Sequence, residues 1–298
     1  MSASFKPLSV LRYSTSILIT GVLLGLLNAC TVKTLYNQLD WLLADHIESY
    51  VELNNEQQKL LYRHLDRFFL WHKATQLPLY VSWLEDFNQD IHQQNTTQAI
   101  GHNFEQFKLL LRTLRARAVE DVTVLLAQLS KEQRAELYQG MEKKNLEFAD
   151  KFIHISREEQ LEQYIERTED RIEEWLGSLT KAQEALVAKT AGQISPVADY
   201  VLQSRRNWQK EFKTVLESNT NRKQLNDKIF DLFVNIEKRR SAKYRALSLH
   251  NQTLFTKLIV DVAHIMTPGQ KRHLKDKVGN YSYHFTELAW EAMQESRL

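Results

Sequence analysis

Residues 104–129 read FEQFKLLLRTLRARAVEDVTVLLAQL. Phe104, Phe107, Leu111, Leu114, Ala118, Val122, Leu125 and Leu129 recur at spacings of three and four, which lines them up on one face of a helix. Arg112, Arg115, Arg117 and Glu120 fall between them, as on a solvated flank. No stretch of useful length alternates with the period of two that a half-buried strand needs. The 298 residues include only eight glycines and four prolines, so little in the chain would break a helix. The fold class this predicts is all-α, an elongated antiparallel bundle of long helices.

Working outward, Leu35, Leu39, Leu42 and Leu43 mark a short helix over 35–47, with Tyr36 and Trp41 beside it. A helix from Asn54 carries Leu61, Leu65, Phe68 and Trp71 and is expected to end at Gln76-Leu77-Pro78, because proline is tolerated in a first turn but not in an interior. The next should start near Pro78, and residues 95–101 read as a polar break. Beyond the opening stripe, 131–154 is less regular, and Ser156-Arg157-Glu158-Glu159 is a capping box ahead of Leu161, Ile165, Ile172 and Trp175. A helix from Thr180 should bend or restart at Ser195-Pro196. A long helix is expected from Arg222 to about Ile265, interrupted near His250-Asn251, and a last one from Pro268.

One helix start recurs four times: Leu53-Asn54-Asn55-Glu56-Gln57, Leu129-Ser130-Lys131-Glu132-Gln133, Leu179-Thr180-Lys181-Ala182-Gln183 and Met266-Thr267-Pro268-Gly269-Gln270. Asn54, Ser130, Thr180 or Thr267 at the N-cap accepts from an exposed backbone N–H, while Gln57, Gln133, Gln183 or Gln270 at N3 reaches back to the N-cap N–H. Five residues after each leading apolar residue stand Gln58, Arg134, Glu184 and Lys271, so no hydrophobic staple forms and the apolar residue should pack elsewhere. These starts resemble the LTxxQ motif of small helical periplasmic proteins of the Spy and CpxP type. That resemblance implies a chaperone-like surface; those proteins are shorter than this chain.

The beginning of the chain suggests where it works. Lys6 and Arg12 come without acids, and Ile17–Leu27 is apolar apart from Thr20 and two glycines. Eleven residues are too few to span a bilayer, which takes about 20, and the pattern is that of a signal peptide. Leu27-Asn28-Ala29-Cys30 resembles a bacterial lipoprotein signal, which implies cleavage between Ala29 and Cys30 and lipid on Cys30, the chain's one cysteine. Residues 1–29 would then be a leader and 30–298 a periplasmic body. One acyl chain holds a bilayer only marginally, so stable anchoring takes several. Thr31 after the cysteine, in place of aspartate, implies by the same resemblance the outer membrane, facing the periplasm. Four residues separate Cys30 from Leu35, at most about 3.6 Å each, which keeps the body near the bilayer. Tyr36 and Trp41 could rest on headgroups there or pack inward.

Without the leader the chain carries 37 basic and 37 acidic side chains, yet they are segregated. Residues 30–178 hold 17 basic and 25 acidic groups, and 179–298 hold 20 and 12, which allows an acidic and a basic lobe or two layers in contact. The basic runs Arg112/Arg115/Arg117, Lys238-Arg239-Arg240 with Lys243 and Arg245, and Lys271-Arg272 with Lys275 and Lys277 could meet phospholipid or lipopolysaccharide phosphates. The expected compartment disfavours nucleic acid, and no nucleic-acid partner is expected.

Catalytic and metal motifs are missing. Asp261-x-x-His264 and Asp150-x-x-x-His154 share helical faces and His64 and His72 lie eight apart, but the Glu-x-x-His pairs of a di-iron bundle, HExxH, CxxC and phosphate-binding glycine loops do not occur. No cofactor, metal or enzymatic activity is expected.

Tyr36-Asn37, Leu39-Asp40-Trp41-Leu42, Tyr50-Val51, Leu53, Glu56-Gln57, Trp71-His72, Leu77-Pro78 and Tyr80 together resemble an uncharacterised family of proteobacterial all-helical lipoproteins. The resemblance implies lipidation and helices and carries over no site residues. The expected function is a non-enzymatic, membrane-anchored envelope lipoprotein, binding client or other envelope proteins in a chaperone-like way through helical surfaces. The alternative is a structural or regulatory accessory that tethers an envelope assembly.

Overall fold

The computed structural model describes residues 30–94, 96–218 and 220–295. The expected leader 1–29, Ala29 included, lies outside the described residues. Within them every regular element is helical, which makes the body an all-α bundle.

The first helix, α1, spans Cys30–Tyr36 and α2 spans Leu39–Glu48. The chain is thus helical from Cys30, five residues earlier than the expected start, because Val32 and Tyr36 are buried and draw the segment onto the body. The helix after Asn54 does not stop at Pro78. Asn55–Trp71 (α3) passes through a π turn at His72–Gln76 into α4, Leu77–Gln89, and a second π turn follows at Asp90–Gln94. In the first of these the Leu77 N–H bonds the His72 carbonyl five residues back. The extra residue widens the turn just where the Pro78 ring would otherwise press on the carbonyl four residues before it.

The opening stripe lies in α5, Thr97–Ala127, 31 residues or roughly 46 Å long. Thr96 caps it, so helix resumes at Thr97, within the expected break of 95–101. Lys131–Phe152 forms α6 and Arg157–Leu176 forms α7, which Gly177 closes at φ +75°, a conformation that favours glycine. Lys181–Ala191 (α8) and Ala198–Glu217 (α9) flank the restart expected at Ser195-Pro196. Arg222–Val234 (α10) ends early, a 3₁₀ turn covers Ile236–Arg239, and Ala242–His264 (α11) runs unbroken through His250-Asn251. The interruption lies at 235–241 because Ser241 caps a new helix and Arg239 turns in to Glu211 and Asp231 at 2.6 and 2.7 Å. Asn251 stays helical and clamps the backbone of Ser195, accepting from its N–H at 2.9 Å and donating to its carbonyl at 2.8 Å. Pro268–Glu295 is α12.

Two apolar cores hold these helices. The first gathers α1, α4, the start of α5, α7, α8, α11 and α12 around Leu77, Ile100, Val187, Leu258, Leu274 and Leu288. The second gathers the end of α5 with α6, α9 and α10 around Val119, Phe212, Ile229 and Leu232. A small third cluster, Ala44, Leu61 and Leu65, joins α2 to α3. Each main core takes residues from both sides of position 178, so the acidic and basic halves of the sequence interleave. The four apolar residues that lead the recurring starts do pack inward: Leu53 and Leu129 on the second core, Leu179 and Met266 on the first.

Candidate functional site

The four glutamines of the recurring starts meet in two pairs. Gln57 on α3 and Gln133 on α6 form a closed amide ring, with Nε2 of each donating to Oε1 of the other at 2.9 and 2.7 Å. Each Oε1 also accepts from its own N-cap N–H, at Asn54 and Ser130. The second hydrogen on each Nε2 goes to a backbone carbonyl, Gln128 for Gln57 and Glu52 for Gln133. Gln183 on α8 and Gln270 on α12 repeat the ring at 3.0 and 2.8 Å, accept from Thr180 and Thr267, and add a bond from Gln270 to Ser178. Each carbonyl so used belongs to the residue before the partner start's leading apolar residue. The motif therefore works as a joint: the apolar residue enters a core, the cap closes its helix, and glutamine ties that helix end to another.

The end bearing Cys30 has its own chemistry. Lys33 on α1 reaches Glu291 near the end of α12 at 2.5 Å, and Trp290 and Met293 stand exposed nearby on α12. Deeper in, His72 lies in the π turn with Nδ1 bonded to the Tyr36 hydroxyl and Nε2 3.1 Å from the Tyr80 hydroxyl. Burial holds the His72 imidazole neutral, pushing its pKa down to about 4, and drives both phenols well above their usual range. One tyrosine then donates to the ring and the other accepts from it. Of the two aromatics left between headgroups and inward packing, Tyr36 is buried and Trp41 is exposed.

A cavity of about 480 Å³ opens between α3, α5 and α10. Asp121 on α5 is its hub. The carboxylate takes His64 Nδ1 at 2.5 Å and Arg117 at 3.0 Å, with Arg67 at 3.4 Å. The Arg67 guanidinium also stands 2.8 Å from His64 Nδ1. A proton on that nitrogen would go to Asp121 and leave Arg67 the carboxylate as its acceptor. Arg117 lies over the Trp71 ring, 5.6 Å from its centre. Arg222, at the start of α10, and Asn226 and Phe230 one and two turns on complete the lining with Ala116, Val119, Glu120 and Val124.

The capping residues could be read from sequence because a capping box is local. Their pairing could not, since Gln57 and Gln133 are 76 residues apart and Gln183 and Gln270 are 87 apart. His64 stood in the sequence as one of two histidines eight residues apart and Arg117 as part of a basic run; nothing local connects them to Asp121 or Arg222. Asp150 pairs with His154 at 2.9 Å on the surface, and Asp261 pairs with Lys257. Among the described residues no cluster of three or more His, Cys, Asp or Glu could hold a metal ion, and no helix is long and apolar enough to cross a membrane.

Comparison with curated proteins and with solved structures gives no match. The model of a family of unknown function, DUF6279, matches residues 49–245, a span that holds the first glutamine pair, His72 and the whole arginine-lined cavity. Because that span exceeds half of the chain, the protein belongs to the DUF6279 family.

Proposed function

We propose that this chain is a non-enzymatic lipoprotein of the bacterial cell envelope, held on the membrane by lipid on Cys30 and binding other envelope components through its helical surfaces. The observation that supports this most is the way Cys30 joins the body. It opens α1 directly, and Lys33, about 4.5 Å of helix further on, is fastened to Glu291 of α12. Lipid on Cys30 would hold that end of α12 against headgroups, where the exposed Trp290 suits a boundary between apolar and polar surroundings. Thr31 favours the outer membrane. The glutamines face one another instead of solvent, which supports binding elsewhere on the body.

Metabolic labelling with an alkyne fatty acid, followed by membrane fractionation, tests the reading. The wild-type chain should carry the label and sediment with outer membrane, while Cys30→Ser should be unlabelled with its leader uncut. An unlabelled wild-type chain that fractionates like Cys30→Ser would overturn it.

A further inference from the structure

We infer that the cavity between α3, α5 and α10 is a binding site for a phosphoryl group. Its three guanidinium groups come from three different helices: Arg67 from α3, Arg117 from α5 and Arg222 from α10. Two carboxylates share the site with them. Asp121 is nearly buried and serves as a brace, fixing Arg117 and His64 in place. Glu120 is exposed and lies 4.0 Å from Arg222, too far for a close ion pair. Positive charge is left in excess, and the Arg67 and Arg222 side chains are 63% and 68% exposed, with N–H groups available to a ligand.

Three guanidinium groups from three helices lining one cavity suit a phosphoryl group, whose oxygens can each accept from a different fork, whereas a planar carboxylate offers oxygens to two of them. The remaining wall, formed by Ala116, Val119, Val124 and Phe230, is apolar, and the cavity at about 480 Å³ has the volume of a small-molecule site. Two sources share this chemistry: the headgroup of an anionic amphiphile, whose apolar part would lie on that wall, and free phosphate. The inference does not depend on acylation of Cys30.

Calorimetric titration of the full chain with inorganic phosphate, and separately with dihexanoyl phosphatidate kept below its aggregation threshold, tests the site. Saturable binding is expected, with Arg222→Gln and Arg67→Gln each weakening it about tenfold or more. Phosphatidate tighter than phosphate by about tenfold or more identifies a headgroup as the ligand. Similar affinities identify free phosphate. Absence of saturable binding by both compounds overturns the inference, as does binding that neither variant weakens. Should Arg67→Gln loosen the fold through Asp121, Arg222→Gln decides alone, since the Arg222 side chain is exposed and its ionic neighbour among the described residues is Glu120 at 4.0 Å.

Discussion

Gln183 is fully buried, and its amide is tolerated there because it gives and receives hydrogen bonds within the pair. Replacing it with leucine removes those bonds and leaves the Thr180 N–H and one hydrogen of the Gln270 amide without partners, while Gln270 keeps Ser178 and Thr267. A cost of about 2–4 kcal/mol is expected, since a buried polar group without a partner bears its full desolvation penalty. Gln183→Leu with Gln270→Leu should cost less than the sum of the two single changes by about 1 kcal/mol or more. Urea unfolding of the three variants measures this; strict additivity would mean the ring is not a coupled unit. His72 gives a prediction in pH. Its folded pKa is held down to about 4, so between that value and its ordinary 6.5 the unfolded chain takes up a proton that the folded chain refuses. The contribution is complete above pH 6.5 and declines by about 3 kcal/mol as pH falls to 4. Burial lowers His46 as well, so the comparison to make is with His72→Gln, whose stability should fall less over the same interval.

Two helical glycines show how packing between elements sets the sign of a substitution. A Cβ on Gly140 of α6 would lie 2.8 Å from the Tyr50 carbonyl oxygen and 3.0 Å from its Cα, both rigid backbone. A Cβ on Gly279 of α12 would meet nothing within 4 Å. Gly279→Ala should stabilise by about 0.5–1 kcal/mol through helix propensity, while Gly140→Ala should destabilise by about 1–3 kcal/mol as α6 is pushed off the 49–53 turn. Thermal unfolding of both reads the difference directly. The same distinction explains what could be read in the sequence. Periodicity exposed α5, and cap chemistry fixed the starts of α3, α6, α7, α8 and α12, because both signals lie within a few neighbouring residues. The π turn before Pro78 was hidden, since the sequence shows a proline and not the wider turn that accommodates it. The break at 235–241 was hidden too, because it depends on Glu211 reaching Arg239 from α9. The cavity needed α3, α5 and α10 side by side, so its residues carried no local mark.

Across the whole molecule, α5 belongs to both main cores, Ile100 in the first and Val119 in the second. A continuous helix between two cores couples them, so the full chain should unfold in one transition. The family span 49–245 divides these cores unequally. It contains every buried residue described for the second, from Val51 to Val234. The first loses Val32 and Tyr36 on one side and everything from Leu258 to Ala289 on the other, including the helix that covers α4. Gln183 also loses Gln270. Expressed alone, residues 49–245 should therefore keep α6, α9 and α10 protected while α4, α7 and α8 exchange their amide hydrogens freely, because those helices retain apolar faces with nothing to bury them. Hydrogen exchange read by mass spectrometry resolves the two groups. Equal protection in both would mean that the first core does not need α11 and α12, and that the matched span folds as a complete unit.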